Sequence, residues 1–152
     1  MKFLYLFVIL LFCSCKKIKT KSSFENKVEL YEIKKDITIN ESIRKILSQN
    51  KVPILYFHAD WCKPCLGFKK SLDDIRMIKA FDKALLLGVN LDSDPQQLAI
   101  QYSVSAVPTF IKLDSNTNVL AKITSAEWEE DIAENIAPIM DKLINSNFYD
   151  VK

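Results

Sequence analysis

Two cysteines separated by two residues, Cys62 and Cys65, carry the clearest chemistry in this 152-residue sequence. They follow an apolar run at residues 54–57, whose length and composition predict a buried strand. If a helix begins at Cys62, its unpaired backbone N–H groups and its dipole favour negative charge there and stabilise a thiolate. Cys65, three residues on, would then lie close enough to Cys62 to form a disulfide. This pattern is typical of a redox site.

A structural disulfide is the alternative for this pair. A bridge between Cys62 and Cys65 closes so small a loop that it constrains the unfolded chain little, and its stabilising effect would be modest. We therefore favour the redox interpretation. Lys63 adds positive charge beside the expected thiolate, and Pro64 stiffens the turn between the cysteines.

The N-terminal segment differs in composition from the rest of the chain. Ten consecutive apolar residues at 3–12 form a run that is too short to cross a bilayer as a helix but typical of a signal-peptide core. The run leads to Ser14 and Cys15 and resembles a bacterial lipoprotein signal, in which cleavage after a small residue leaves an acylated cysteine. The resemblance implies a signal peptide at residues 1–14 and lipidation of Cys15. A plain secretory signal or an N-terminal anchor helix is the alternative.

The predicted organisation continues with a lysine-rich lipidated tether at 15–27 and one domain at 28–152. Lysines near anionic headgroups contribute about 1 kcal/mol each, although a solvated linker would have the same composition. We expect a protein of the cell envelope, held to the membrane through its lipid anchor with the domain on the periplasmic side. Once the other two cysteines are assigned to the signal and the lipid, only Cys62 and Cys65 remain in the domain.

Composition limits the classes of function. Hydrophobic residues make up 49% and charged residues 26%, as in a globular domain, and a net charge of +2 gives no argument for a nucleic-acid partner. Two cysteines do not suffice for a zinc site, which usually needs four ligands. The sequence has no nucleotide- or flavin-binding motif, so we expect no cofactor. We expect a monomer.

Apolar periodicity and capping residues predict nine elements. They are strands at 28–33, 54–57, 84–92, 107–113 and 119–123 and helices at 38–50, 62–81, 95–102 and 124–144. The order predicts an α/β fold with a mixed central sheet flanked by helices on both faces. The first strands pair in parallel through crossovers, and the last two form an antiparallel hairpin.

Several details of the helices can be tested. Thr38, Asp94 and Thr124 are candidate N-caps, the last in a capping box that would open the final helix. Pro138 is expected to kink or divide that helix. The inner face of the helix at 62–81 is expected to include Leu66, Leu72, Ile75, Ile78 and Phe81.

The cysteine motif and a later segment together resemble the thioredoxin superfamily. The residues that carry the resemblance are Ala59-Asp60-Trp61-Cys62-Lys63-Pro64-Cys65 and Val107-Pro108-Thr109. The similarity is greatest to the C-terminal domain of transmembrane disulfide reductases and to related exported lipoproteins. It implies a thioredoxin-like fold with Cys62 as the attacking thiol and Cys65 as the resolving thiol. It also implies that Pro108 is a cis-proline facing the disulfide, that Val107 offers backbone groups to substrate, and that Trp61 shields the site.

The sequence departs from the family pattern behind the cysteines. Tyr56 stands where relatives usually have a buried aspartate that accepts a proton, and Gly88 stands where its lysine partner is common. Proton transfer at Cys65 would then need water, Asp60 or the Tyr56 hydroxyl. His58 could tune the thiolate or relay a proton, although a residue hydrogen-bonded at a strand end is the interpretation we favour. For Asp60, a modulator of the site and a turn residue remain equally open.

These observations predict a membrane-tethered thiol–disulfide oxidoreductase. Lys63-Pro64 resembles the dipeptide of reducing thioredoxins, so we expect a reductant of disulfide-bearing envelope proteins. A membrane reductase would supply its electrons. One alternative is a protein disulfide oxidase or isomerase, with which the loss of the buried aspartate is compatible. Another is a non-enzymatic copper-handling module, although its relatives have three residues between the cysteines and a later histidine.

Overall fold

The computed structural model describes residues 27–33, 39–93 and 96–146. These ranges contain five strands and five α-helices. The strands are β1 (Leu30–Glu32), β2 (Val52–His58), β3 (Ala84–Asn90), β4 (Thr109–Leu113) and β5 (Val119–Thr124), and the helices are α1 (Ile39–Ser48), α2 (Lys63–Ser71), α3 (Ile75–Ala80), α4 (Gln96–Gln101) and α5 (Ala133–Asn145). The predicted signal peptide, the lipidation site at Cys15, and the candidate caps Thr38 and Asp94 lie outside the described residues, as does the tether up to residue 26.

The five strands form one mixed sheet in the order β1-β3-β2-β4-β5. Strands β1, β3 and β2 are parallel, β4 is antiparallel to β2, and β4 and β5 form the expected antiparallel hairpin. Strand β2 is buried on both faces because it lies in the centre and its side chains alternate between them. Tyr56 faces the apolar cluster that α2, α3 and α5 cover, whereas Phe57 faces the cluster that α1 and α4 cover. The predicted α/β architecture with helices on both faces is confirmed.

The helix expected at 62–81 is two helices. A turn at residues 72–74 ends α2, and Asp74 begins α3 by accepting a hydrogen bond from the Arg76 backbone N–H at 2.8 Å. The break shifts the helical phase. Two residues assigned to the inner face are exposed, Leu66 by 46% and Ile75 by 60%, and Phe68 and Met77 are buried in their place.

The last helix begins later than the capping box predicts. Thr124 caps only a short 3₁₀ turn, Ser125–Glu127, in which its Oγ1 accepts from the Ala126 N–H at 3.3 Å. The segment that follows buries Trp128 against the core before α5 begins at Ala133. Pro138 neither divides nor ends α5. It lies on the exposed face, where the carbonyl group that lacks its usual donor is open to water.

Other element bounds differ from the sequence-based ones by one or two residues, as is common at element ends. Val107 and Pro108 precede β4 and are not part of it. Within the described ranges, no helix combines the length and the apolar character that a membrane span requires.

Lys112 is a buried cation on the central sheet that the sequence did not single out. Its Nζ donates to the backbone carbonyls of Ile144 at 2.8 Å and Ser146 at 2.9 Å, at the C-terminal end of α5. Burial lowers the pKa of this ammonium group. The two hydrogen bonds join α5 to β4 and satisfy carbonyl groups that the helix itself leaves without a donor.

We expect Lys112→Met to lower the free energy of unfolding by about 2 kcal/mol, because the two carbonyls lose a charged donor while the buried stem is retained. Urea titration followed by circular dichroism measures the change. Lys79→Met, at an exposed position of α3, is the matched control and should unfold at the wild-type midpoint. Equal midpoints for both variants would contradict the capping role of Lys112.

The turn between β4 and β5 contains no glycine and includes a residue with a left-handed backbone. Thr117 has a φ of 66°, which is unfavourable for a β-branched residue. We expect Thr117→Asn to stabilise the protein by about 0.5–1 kcal/mol, since asparagine adopts this conformation more readily. The denaturation midpoint should rise for Thr117→Asn and stay unchanged for Ser115→Asn in the same turn. A fall for Thr117→Asn would show that its side chain makes a stabilising contact.

Candidate active site

Cys62 and Cys65 lie at the start of α2 and form a disulfide, with an S–S distance of 2.03 Å. Cys62 is the N-cap, and its Sγ accepts a hydrogen bond from the Cys65 backbone N–H at 3.2 Å. Both cysteines are buried, Cys65 completely. A thiolate on Cys62 would therefore meet a backbone donor and the positive end of a helix, as the sequence predicts.

The turn before α2 places the first cysteine. Strand β2 ends at His58, and the Cys62 N–H donates to the Ala59 carbonyl at 3.3 Å. Pro64 occupies the first turn of α2, where the absence of its N–H costs no helical hydrogen bond. Lys63 is exposed beside the disulfide.

The segment before β4 faces the disulfide. The Val107–Pro108 peptide bond is cis, and the Val107 carbonyl oxygen lies 3.5 Å from the Cys62 Sγ. The half-buried Val107 side chain packs against the small cluster of Ala59, Cys62 and Cys65. The structure thus brings together residues that the family resemblance placed in one site.

An acidic residue that sequence analysis did not single out organises the outer side of the site. Asp92 accepts from the Trp61 indole Nε1 at 3.0 Å and from the Asp60 backbone N–H at 2.6 Å. The Asp60 carboxylate accepts from the Asn90 side chain at 3.0 Å, so Asp60 helps to hold the turn. Trp61 remains 72% exposed. The parallel pairing of β2 and β3 brings these residues together, because parallel strands end at the same edge.

Tyr56 occupies the space beneath the second cysteine. Its ring is fully buried between Phe68 and Phe110, and its hydroxyl donates to the Cys65 carbonyl at 3.3 Å. Burial and the negative charge of Glu32 raise the pKa of the Tyr56 hydroxyl. The hydroxyl therefore remains protonated near neutral pH and serves as a hydrogen-bond donor.

His58 is the centre of a polar group of three residues on the same side of the sheet. It is 1% exposed; its Nε2 lies 3.0 Å from Glu32 Oε1, and its Nδ1 lies 3.2 Å from the Lys69 Nζ. The hydrogen bond from His58 lowers the pKa of the Glu32 carboxyl group, and the charge of Lys69 acts in the same direction. Glu32 and Lys69 were not predicted as site residues, because in the sequence they resemble ordinary surface charges on an edge strand and a helix.

Gly88 makes room for this group. A Cβ atom at Gly88 would lie 2.5 Å from the Glu32 Oε2, so any other residue there would displace the carboxylate. The whole sequence contains only two glycines, and this scarcity is the one sequence feature that points to a special role for Gly88. Within the described part of the chain, no group of three or more His, Cys, Asp or Glu residues could hold a metal ion.

The sheet order, the cysteine pair at the start of α2 and the opposing cis-proline segment together define the thioredoxin-like class of α/β redox proteins. The family model described as Thioredoxin matches residues 32–138. The chain belongs to the thioredoxin family, and this confirms the predicted superfamily and fold. The Cys62–Cys65 pair lies in the part of the chain that the family model matches.

Curated relatives include thioredoxins of several organisms. Thioredoxin-T of Drosophila melanogaster is 29% identical over 97 residues, which cover 64% of this chain and 57% of the relative. Mitochondrial thioredoxin of Mus musculus is 31% identical over 88 residues, which cover 58% of this chain and 51% of the relative. A thioredoxin-like protein of Fusarium culmorum is 37% identical over 76 residues, which cover 49% of this chain and 62% of the relative. The chain thus spans little more than half the length of these relatives.

Solved structures agree on the fold. A thioredoxin from Thermus thermophilus, 18% identical, has a TM-score of 0.57 over 77% of this chain and 85% of its own. The germline-specific thioredoxin Deadhead from Drosophila melanogaster, 27% identical, has a TM-score of 0.51 over 70% of this chain and 95% of its own.

Proposed function

We propose that this protein is a thiol–disulfide oxidoreductase that reduces disulfides of envelope proteins while tethered to the membrane by a lipid on Cys15. The observation that carries the proposal is the position of Cys62. Its sulfur caps α2, accepts the Cys65 N–H, and lies beside the Val107 carbonyl. A backbone N–H donor and the positive end of a helix stabilise a nucleophilic thiolate, whereas a purely structural bridge needs neither.

The reaction proceeds in two exchanges. The Cys62 thiolate attacks a substrate disulfide, an S–S bond forms between Cys62 and the substrate, and the first substrate sulfur leaves as a thiolate and takes up a proton. Cys65 then loses its proton and attacks the Cys62 sulfur. The Cys62–Cys65 disulfide forms, and the second substrate sulfur leaves with the electron pair of the broken bond. The substrate thus gains two electrons. A dithiol of a membrane reductase then supplies two further electrons and reduces the Cys62–Cys65 disulfide again.

Two features beside the disulfide suit a protein substrate. The half-buried Val107 has its peptide groups next to Cys62, where they can pair with an extended segment of substrate backbone. The exposed Trp61 offers an apolar surface on the other side of the cysteine, held in place by Asp92. These contacts match a polypeptide better than a small thiol.

The membrane location rests on the N-terminal sequence alone. The apolar run at 3–12, the Ser14-Cys15 pair and the lysines that follow support export and lipidation. Labelling of cells with a palmitate analogue should mark the wild-type chain and not a Cys15→Ala variant. Labelling of both chains equally would contradict the lipid anchor.

Trapping of mixed disulfides tests the proposed reaction. We expect Cys65→Ala, expressed as the full chain, to accumulate envelope proteins on Cys62, because the resolving thiol is absent. The double variant Cys62→Ala, Cys65→Ala is the matched control and should trap nothing. An absence of reducible adducts on Cys65→Ala would contradict the oxidoreductase proposal.

The reduction potential tests the direction. We expect a value below about −200 mV, in the range of reducing thioredoxins and glutaredoxins. A value near or above that of protein disulfide isomerase, about −180 mV, would favour the oxidase or isomerase alternative.

A further inference from the structure

We propose that Glu32, His58 and Lys69 form a charge network that sets the acidity of the resolving thiol, Cys65. The inference rests on the proposed function and concerns its second exchange, in which Cys65 must lose a proton. His58 is a positioning residue in this network, because it holds two opposite charges at fixed places beneath α2.

The donors and acceptors available on the three side chains determine the direction of the two hydrogen bonds of His58. A charged lysine has only donors, so the Lys69 Nζ donates to the Nδ1 of His58 and that nitrogen carries no proton. The proton of the neutral imidazole is therefore on Nε2, which donates to the Glu32 carboxylate at 3.0 Å from Oε1 and 3.1 Å from Oε2. The imidazole thus separates a cation from an anion.

Two structural links join the network to Cys65. Lys69 follows Cys65 by four residues on α2, so both lie on the same face of the helix. Its ammonium group is directed inward to a histidine that is 1% exposed and is not extended into water. Tyr56 links the network to Cys65. Its ring stacks on that of His58, with 4.8 Å between the ring centroids, and its hydroxyl donates to the Cys65 carbonyl.

The two charges differ in their expected effect on Cys65. Lys69 is on the same helix face as Cys65 and favours the thiolate. Glu32 is on the far side of the imidazole, on strand β1, and opposes the thiolate; its side chain is 47% exposed, so water screens it more. The net effect of the network is to favour the thiolate of Cys65.

Other ionisable groups around α2 do not share this arrangement. Lys63 and Lys70 are exposed, and Asp131 contacts Gly67 from the α5 side while accepting from the Trp128 indole. Tyr56 stays protonated near neutral pH. The Glu32 carboxylate also occupies the space next to Gly88, where a side chain would otherwise extend. The network therefore lies on the Tyr56 side of Cys65, where the aspartate and lysine of the family pattern are missing.

A single-thiol titration tests the network. In a full-length background in which Cys13, Cys15 and Cys62 are all replaced by serine, thiolate absorbance at 240 nm reports the pH midpoint of Cys65. We expect Lys69→Met to raise this midpoint and Glu32→Gln to lower it, each by about half a pH unit or more. Lys70→Met, one residue along the same helix on the exposed side, is the matched control and should leave the midpoint in place.

Opposite shifts in Lys69→Met and Glu32→Gln distinguish an electrostatic role from a structural one. If the residues acted only through structure, both variants would shift the Cys65 midpoint in the same direction, or neither would shift it. Either of those results would overturn the inference. Both positions lie at least partly in solvent, so these variants should fold even if a His58 variant does not. The titration needs no substrate. If the wild-type protein reduced no disulfide, the proposed function would be wrong. The pH midpoints of Cys65 would still show whether the network acts on this thiol.

Discussion

Replacement of Cys62 by serine should abolish disulfide reduction. With insulin as substrate and dithiothreitol as electron donor, we expect the rate to fall on the order of a thousandfold, to the uncatalysed level, because a serine hydroxyl at this position cannot replace the thiolate nucleophile. The substitution exchanges sulfur for oxygen at the N-cap of α2, where serine is itself a good cap. The fold should therefore persist, and far-ultraviolet circular dichroism checks this.

The matched variant is Cys65→Ser, in which the attacking thiol is intact. It should still form one mixed disulfide per molecule with an activated aromatic disulfide, although turnover with insulin is lost. Cys62→Ser should form none at neutral pH. If Cys62→Ser reacted and Cys65→Ser did not, the assignment of the attacking and resolving roles would be reversed.

Phe110→Ala should cause the largest loss of stability. The ring is fully buried in the centre of β4, stacks on Tyr56 at 4.9 Å, meets Phe68 at 4.6 Å, and lies 6.0 Å from Trp128. Alanine would leave a cavity in this aromatic cluster, which joins the sheet to α2 and to the segment before α5. We expect a cost of about 3–5 kcal/mol.

Urea titration at neutral pH measures this cost. Leu120→Ala, on the adjacent strand β5 with 45% of its side chain exposed, is the control and should cost far less. Tyr56 in the Phe110→Ala variant should also become more accessible, which tyrosine fluorescence and hydrogen exchange near Cys65 can follow. A loss no greater than that of Leu120→Ala would show that the cluster closes around the cavity.

The sequence predicts the overall architecture well because that part depends on local signals. Apolar runs bounded by turn residues identify the strands β2, β3 and β4, and a strand, turn and helix in succession place Cys62 at a helix start. The bounds predicted for the helices at 62–81 and 124–144 are less accurate. The turn at residues 72–74 and the late start of α5 depend on how Phe68, Met77 and Trp128 fit the same side of the sheet. Helical periodicity does not reveal such choices, because each alternative looks amphipathic in isolation.

By itself the sequence determined the cysteine pair, its position at the start of a helix and the α/β order, because spacing and chain order express these. The family resemblance added the Val107-Pro108 segment to the site. Only the tertiary structure decided what lies behind Cys65. His58 bonds to Glu32 across 26 residues of sequence, and Trp61 bonds to Asp92 across 31. Such pairs depend on the register between parallel strands and on the absence of a side chain at Gly88. Residues that resemble surface charges in the sequence thus become partners of one buried imidazole near the redox pair, because folding places two strands and a helix around it.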